Sequence, residues 1–404
     1  MSADVTARRL RSLATEDEPP ALPPSQVDLG RVLKIGRRRR RLRGLAATGS
    51  AAAAVATVAV VVGTWAAVDH RPLVAPTSSA TAAVAEPTVA ACRVERLQGP
   101  WGGTPQLVMD PTGRYLAGYI DESRGGRRHA VMWTAGAFTE LHLPVAAPTP
   151  MAVNSHGMVA GRAQRNQQST GWLFHDGTFV ELHQPPGAKA VFVNGIDANG
   201  DVVGEAEFSD GRGMAVVWWF GSSEATLLSN AANSVAFAID DNGTAYGTLG
   251  DGDQAAYWPK GQPARSLPGP DGGNVGKVFH VAGGWAIGVG AAGPDGEARW
   301  VVWNLATHGS RWTAPLGLAE VEAVNAQGWL AGSTEGLGSR KPSRPAVRRY
   351  GVTQVLPPLN EDQTTGTADG ISADGHTVTG TFDPGPFDPT AGGAAPEDRV
   401  IWHC

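Results

Sequence analysis

The sequence has few cysteines, few charges and none of the short motifs by which many enzymes are recognised. Its 404 residues include only 2 cysteines, and charged residues make up 18%. No HExxH, GxxxxGK[ST], GxSxG or CxxC pattern occurs, so the corresponding metalloprotease, P-loop, hydrolase and dithiol chemistries are not indicated. We therefore predict no catalytic residue, no metal site and no cofactor. The question of catalysis stays open, and the sequence favours a protein without it.

Long apolar runs are equally scarce, and the longest is residues 45–68, which contain no charged side chain. That length spans a bilayer as one helix. Residues 1–44 hold 11 Lys/Arg against 5 Asp/Glu, which predicts a mostly disordered basic tail on the cytoplasmic side. We expect residues 69–91 to form a flexible Pro/Ala/Thr linker to an extracytoplasmic domain, residues 92–404.

These features predict a single-pass protein of the cell membrane, held by an uncleaved signal-anchor. A cleaved signal peptide is the alternative interpretation of the same apolar run. The adjacent span explains the arginine run 37–43, so we expect no nucleic-acid partner. The abundance of Ala, Gly and Arg is typical of a bacterial protein with a GC-rich gene.

A glycine-marked phrase recurs seven times between residues 110 and 380, at intervals of about 43 residues. Most copies begin with Asp, Asn or Ser, followed by a glycine, a short apolar run and a second glycine. The first glycines are Gly113, Gly157, Gly200, Gly243, Gly284, Gly328 and Gly375. A fixed period in this range indicates an array of small units that do not fold singly.

Each unit predicts four short strands. The third strand ends in an aromatic residue, and the seven residues are Trp133, Phe174, Trp218, Trp258, Trp303, Tyr350 and Trp402. Four strands per unit and seven units predict an all-β protein, a seven-bladed β-propeller. Several independent β-sandwiches are the alternative, but one unit is too small to bury its own faces.

Both cysteines lie at the ends of the repeat region. The last unit stops after its third strand, at Cys404, and residues 92–97 ahead of the first unit resemble a fourth strand. Aligned on the first unit, Cys404 matches Ala135 and Cys92 matches Gly136, which are consecutive residues of one turn. We therefore predict a composite last blade closed by both chain ends and a Cys92–Cys404 disulfide, consistent with an oxidising compartment. Two unpaired buried thiols are the alternative.

Other candidate sites have simpler structural explanations. Asp197–Asp201 resembles the start of a calcium loop but lacks the later bidentate Glu, and it occupies a repeat turn. Five tryptophans lie outside the third-strand position and are candidates for exposed stacking, although packing suits most of them: Trp101, Trp219, Trp285, Trp312 and Trp329.

The loops between strands two and three vary most in length, and those at 333–344 and 381–397 are the longest. We expect a protein or cell-surface glycan partner to bind on the face that carries them, pointing away from the membrane.

The repeats resemble the HAF family of extracellular repeats. Val153–Gly161 matches the family's Ile/Val-Asn-x-x-Gly-x-Val-x-Gly turn, and His129–Trp133 matches its His-Ala-Phe-Leu-Trp segment. The likeness covers residues 92–404 and weakens in the sixth unit. It implies an extracytoplasmic β-propeller without established catalytic residues.

The sequence therefore predicts a membrane-anchored extracytoplasmic propeller that acts as a binding module. One alternative is a signalling or regulatory protein whose cytoplasmic tail reports binding outside the cell. A second alternative is a propeller lyase or glycoside hydrolase, which would need carboxylates or histidines to converge at the central channel. A channel lined by small apolar residues would weigh against that alternative.

Overall fold

The computed structural model describes residues 91–97, 107–121, 127–229, 233–250, 254–272, 276–292, 297–334, 343–382 and 398–404. They form seven antiparallel sheets of four strands each. Contacts between the innermost strands of consecutive sheets, and between the first and last of them, close these sheets into a ring. The predicted seven-bladed β-propeller is confirmed.

The predicted tail, transmembrane helix and linker lie outside the described residues, apart from Ala91. Within the described part of the chain, no helix has the length and apolarity needed to cross a bilayer.

The first strand of the chain, β1 (Arg93–Arg96), belongs to the last blade. Blade one contains β2 (Leu107–Met109), β3 (Tyr115–Asp121), β4 (Arg128–Thr134) and β5 (Ala137–Leu141). Blade two contains β6 (Ala146–Val153), β7 (Val159–Arg165), β8 (Gln168–His175) and β9 (Thr178–Leu182). Blade three contains β10 (Ala188–Ile196), β11 (Val202–Phe208), β12 (Gly213–Trp218) and β13 (Thr226–Leu227). Blade four contains β14 (Val235–Ile239), β15 (Ala245–Leu249), β16 (Gln254–Trp258) and β17 (Arg265–Ser266).

Blade five contains β18 (Lys277–Ala282), β19 (Trp285–Ala292), β20 (Glu297–Asn304) and β21 (Gly309–Trp312). Blade six contains β22 (Glu320–Val324), β23 (Leu330–Ser333), β24 (Pro345–Arg349) and β25 (Val352–Val355). Blade seven contains β26 (Gly366–Ile371), β27 (Thr377–Phe382), β28 (Asp398–His403) and β1. Two short 3-10 helices, Pro270–Gly272 and Ala314–Leu316, lie in the connections that follow blades four and five.

Blade seven is the predicted composite blade. Strand β1 pairs antiparallel with β28, from Arg93 opposite His403 to Arg96 opposite Val400. A disulfide joins Cys92 to Cys404, and their Cα atoms are 4.1 Å apart. Consecutive residues of a chain are separated by about 3.8 Å, so the disulfide stands where the other blades have a peptide bond. The predicted pairing and its role as the missing turn are confirmed.

The first glycine of each phrase adopts a left-handed conformation. In all seven copies φ lies between 71° and 91°. An L-residue disfavours this region, which explains why glycine recurs there. In blade five the turn is shorter, because Gly283 and Gly284 alone connect Ala282 to Trp285.

Asparagine at the head of the phrase connects neighbouring blades. The Oδ1 atom of Asn154 accepts hydrogen bonds from the backbone N–H groups of His156 and Met158 in its own turn. Its Nδ2 atom donates to the Asp197 carbonyl of the next blade at 2.9 Å. Asn325 makes the same pair of connections and donates to the Ser372 carbonyl at 2.9 Å. An aspartate can supply the first interaction but not the second.

The second glycine of the phrase is required by a bulge in the innermost strand. A Cβ atom at Gly204, Gly247 or Gly332 would lie 1.9–2.0 Å from a carbonyl oxygen of the inner strand beside it. Register shifts in the pairs β10–β11, β14–β15 and β22–β23 mark the bulge in these blades. The extra residue bends the inner strand over its neighbour, and only glycine leaves enough space.

Buried tryptophans lie between the blades, and several of them bind the connection that leads from the preceding blade. Trp133, Trp172, Trp218, Trp258, Trp303 and Trp402 are almost completely buried. The indole N–H groups of Trp218, Trp303 and Trp402 donate to the carbonyls of His183, Pro268 and Pro357, which lie in the connections from the preceding blades. In blades three, five and seven the third-strand tryptophan therefore contributes both apolar burial and one directed hydrogen bond, whereas the buried indole N–H of Trp258 in blade four has no such partner among the described residues.

The predicted third-strand aromatic is wrong in blade six. Arg348 pairs with Leu330 at the position where Trp402 pairs with Val378. Its guanidinium donates to the Leu316 carbonyl, in the connection that the tryptophans of other blades contact. Tyr350 lies two residues later, in the turn after β24, and its side chain is exposed. In blade two Phe174 holds the predicted position, but Trp172 is the fully buried ring.

Candidate functional site

The propeller has two faces of different character. The turns between strands one and two and between strands three and four lie on one face, which we call the turn face. The loops between strands two and three and the connections between blades lie on the opposite face, the loop face. Cys92 precedes the outermost strand of blade seven, so the chain enters the ring at the turn face.

The longest predicted binding loops lie mostly outside the described residues. This applies to most of 333–344 and 381–397, including Arg340, Lys341 and Asp383. At the end of the loop between β3 and β4, the guanidinium of Arg128 pairs with Asp121 at 2.7 Å and covers the Tyr119 ring. The hydrogen bonds that Arg128 donates to Asp121 raise the pKa of Arg128 further above its ordinary range.

A cavity of about 350 Å³ opens on the loop face of blade two, and we call it the blade-two groove. The β7–β8 hairpin forms one wall, and the end of β9 with the start of the following connection forms the other. The lining residues are Arg165, Asn166, Gln168, Thr170, Glu181, Leu182, His183 and Gln184. Seven of these eight side chains are polar or charged, so the groove suits a polar ligand.

The ionisable side chains at the groove form pairs that solvent reaches. Arg165 contacts Glu181 at 3.0 Å, and His183 Nδ1 contacts Glu224 at 2.8 Å. At least 44% of each of these four side chains is exposed, so the pairs contribute little to stability and can exchange partners. The backbone beneath them is fixed, because the N–H of His183 donates to the Ser223 carbonyl and its carbonyl accepts from Trp218.

The tip of the β7–β8 hairpin is held in a disfavoured conformation. Asn166 and Gln167 have φ values of 50° and 64°, which match the two central positions of a type I′ turn. Asparagine tolerates this region, but glutamine does so less readily. Such backbone strain is often found beside binding sites.

A second cluster lies around the propeller axis, at the bulged residue of the inner strands. Asn194 of blade three accepts a hydrogen bond from Arg162 of blade two and donates to the Ala236 carbonyl of blade four at 2.8 Å. A side chain that reaches both neighbouring blades lies at the inner edge of its sheet. Phe237 and Phe279 occupy the same position in blades four and five, with ring centroids 5.5 Å apart.

Blades six and seven place carboxylates at this inner position. Burial, and then the charges of Glu320 and Asp369, raise the pKa of Glu322. Its side chain is nevertheless exposed to solvent. Asp369 accepts from Thr379 at 2.8 Å and pairs with the buried Arg399 at 3.2 Å. The inner ring is therefore not lined by small apolar residues. A lining of that kind would have weighed against the lyase or glycoside hydrolase alternative, and that alternative stays open.

The calcium interpretation of Asp197–Asp201 gains no support. Asp197 Oδ1 accepts from the Asp201 N–H at 2.8 Å, and Asp201 Oδ1 accepts from the Phe220 N–H at 2.7 Å. Lys260 Nζ lies 3.5 Å from the other Asp201 oxygen. The oxygens therefore serve the turn, and burial raises the pKa of Asp197. Across the described residues, no group of three or more His, Cys, Asp or Glu side chains is arranged to hold a metal ion.

The tryptophans considered for stacking mostly pack. A Cβ at Gly328 would lie 2.5 Å from the Trp285 ring, and one at Gly375 would lie 2.3 Å from the Trp329 ring. Each ring thus covers the first glycine of the next blade's turn. Trp219 lies under Lys260, whose Nζ is 3.9 Å from the ring centroid. Trp312 is half-buried on β21, and Trp101 lies outside the described residues.

The groove was missed in the sequence because its residues carry no motif. Arg165–Gln168 and Glu181–Gln184 are two separate segments of mostly polar residues, and only the pairing of β8 with β9 brings them together. The one available signal was the short loop between β7 and β8, since two residues between long strands predict a tight hairpin.

No protein-family model matches the chain, and the search of curated proteins returns no match. The resemblance to the HAF family therefore stays a prediction. Among solved structures, the chain is similar to U3-55K, with 14% identity over 77% of this chain and 98% of the other and a TM-score of 0.48. It is also similar to the propeller domain of the trilobed protease of Pyrococcus furiosus, with 9% identity over 74% and 95% and a TM-score of 0.47. A structure of YCF48 bound to the D1 peptide gives 11% identity over 78% and 97%, with a TM-score of 0.44. These likenesses concern the fold alone.

Proposed function

We propose that this chain is a membrane-anchored, extracytoplasmic β-propeller that binds a protein partner through its loop face. The blade-two groove carries the proposal, because it combines a fixed backbone with charged side chains whose pairs are open to exchange. The anchor is the apolar run 45–68, and the chain enters the ring from the opposite, turn face.

The chemistry of the groove favours a polar segment of a protein. Its volume is at the lower end of the range for ligand pockets, and Leu182 is the single apolar residue in its lining. Arg165 can pair with a carboxylate of the partner, and Glu181 and Glu224 can pair with a cation. A partner that carries one anionic and one cationic group would replace the Arg165–Glu181 pair without leaving a charge unpaired.

Site-specific photo-crosslinking of the full chain in its native membranes tests this proposal. A benzoylphenylalanine replaces Gln168 in the groove, or Asp176 on the turn face of the same blade as the matched control. We expect a discrete protein adduct from position 168 and none from position 176. Adding Arg165→Ala and Glu181→Ala should remove the adduct without changing the melting temperature by more than a few degrees, because the pair is exposed.

Absence of an adduct at position 168, or equal adducts at both positions, would contradict the proposed binding face. A discrete adduct that a glycosidase removes would instead support the glycan alternative. If cell fractionation finds the chain outside the membrane fraction, the anchoring part of the proposal is wrong, whatever the crosslinks show.

A further inference from the structure

The turn face carries an exposed apolar patch at blade six, made of Trp329, Tyr350 and Val352. Tyr350 is 62% exposed and Val352 is 46% exposed. The Trp329 and Tyr350 rings lie 4.8 Å apart between centroids, at an angle of 59°. The patch thus combines an exposed valine with two aromatic rings that contact each other, and two of its three side chains are open to solvent.

Tyr350 occupies a backbone conformation that tyrosine disfavours. Its φ is 52°, at the first central position of the turn between β24 and β25. The equivalent turn of blade two has Asp176 there, with φ of 47°, and aspartate accepts this region more readily. A tyrosine in this position costs conformational free energy and buries little of its ring. An interaction outside the ring of blades would account for both features.

The patch adjoins the point where the rest of the chain leaves the propeller. Trp329 packs against the cluster that contains Cys92 and Cys404. Arg349, the residue before Tyr350, places Nη2 3.7 Å from the sulfur of Cys92. The segment before Cys92 leads within residues 69–91 to the predicted membrane span at 45–68.

The length of this segment limits how far the patch can lie from a bilayer. If residues 69–91 form the flexible linker that their composition predicts, their root-mean-square span is about 26 Å. If the span is embedded as proposed, a lipid surface is always within reach of the turn face. Tyrosine and tryptophan also favour the membrane–water interface, because each combines an apolar ring with a polar group.

We propose that the patch of Trp329, Tyr350 and Val352 docks on the lipid bilayer. This inference rests on the proposed membrane anchoring and adds an orientation to it. With the turn face against the lipid, the loop face and the blade-two groove point away from the membrane. The docking would therefore present the groove to partners instead of leaving the ring free to turn on its linker.

Quenching of tryptophan fluorescence by brominated lipid tests the docking. The full chain is reconstituted in vesicles of phosphatidylcholine or of dibrominated phosphatidylcholine. Trp65→Phe is present in every variant, because Trp65 lies in the predicted span. We expect brominated lipid to quench part of the remaining emission. Trp329→Phe should abolish most of that quenching, whereas Trp312→Phe, at the loop-face end of β21, should leave it unchanged. Tyr350→Ser should also reduce it, by weakening the docking.

Flotation of the same vesicles separates the two hypotheses. If the chain floats with the vesicles but Trp329→Phe and Trp312→Phe are quenched equally, the docking is wrong and the anchoring stands. If the chain does not float, the anchoring is wrong and the docking is wrong with it. If Tyr350→Ser leaves the quenching unchanged, the patch as defined is not the contact surface.

Discussion

At the scale of single residues, the repeat phrase encodes contacts between blades as well as turns. Asn154 and Asn325 cap their own turns with one amide atom and donate to the next blade with the other. Asp110, Asp197 and Asp240 begin the same phrase, but a carboxylate has no donor. The choice between Asn and Asp therefore changes how a blade is connected to its neighbour.

Asn325→Asp should destabilise the protein by about 1–2 kcal/mol, because it removes a buried hydrogen bond and places a charge against the Ser372 and Ala373 carbonyls. Urea denaturation measures the change in the free energy of unfolding. Asn360→Asp, on the exposed connection after β25, is the matched control and should lie within about 0.5 kcal/mol of wild type. Equal values for the two variants would mean that the contact between blades contributes nothing.

These residue-level contacts were only partly predictable from the sequence. The first glycines predict the turns correctly, because a backbone position with positive φ strongly favours glycine. The donor role of Asn325 could not be predicted, because its acceptor lies 47 residues away in sequence. The prediction of Tyr350 as the third-strand aromatic of blade six is wrong for a related reason: Tyr350 is the nearest aromatic, but the strand register places Arg348 opposite Leu330.

The carboxyl of Glu322 predicts a pH dependence of stability. Its pKa is raised above the ordinary value of 4.5, chiefly by burial, so the folded protein holds the proton more tightly than the unfolded chain. Ionisation at neutral pH therefore opposes folding. Glu322→Gln should raise the melting temperature at pH 7 and should have a much smaller effect at pH 4, where the carboxyl is mostly protonated in both states.

Thermal unfolding at pH 7 and pH 4 measures this difference. Glu361→Gln, at an exposed position before β26, controls for the loss of one negative charge. An equal gain from Glu322→Gln at both pH values would show that ionisation is not its cause.

At the scale of strands, the inner-strand bulge and the second glycine depend on each other. The bulge brings a carbonyl oxygen over strand two, so a side chain there would overlap the backbone. The second glycine is visible in the sequence, but the bulge that requires it is not, because no particular residue type marks a bulge on the inner strand. The same bulge places Asn194, Phe237, Phe279, Glu322 and Asp369 around the axis.

Gly247→Ala should destabilise the protein by about 3 kcal/mol or more, because its Cβ would lie 1.9 Å from the Val235 carbonyl oxygen. Gly221→Ala is the control, since no atom lies within 4 Å of the added Cβ and only the φ of 84° opposes it. That control should cost about 1 kcal/mol. If thermal unfolding ranks the two variants in the opposite order, crowding by the bulge does not explain the second glycine.

At the scale of the whole molecule, the closed ring of seven blades determines where every other feature lies. The period and the two cysteines were sufficient to predict seven blades and their closure, because a ring of equivalent units leaves few alternatives for its ends. The blade-two groove and the turn-face patch were not predictable, since each is assembled from segments that become neighbours only in the folded ring. Closure is also what gives the molecule two fixed faces, and hence a binding face distinct from the entry face.

Closure by the two chain ends is therefore the central claim, and hydrogen exchange tests it most directly. Removing the disulfide with Cys404→Ser frees both ends of blade seven, which are separated by 312 residues in sequence. Under native conditions we expect faster amide exchange in β26, β27, β28 and β1 and in the adjoining strands of blade one. Blade four, on the far side of the ring, should exchange at the wild-type rate. Unchanged exchange in blade seven, or an equal increase in every blade, would contradict closure of the propeller by its two ends.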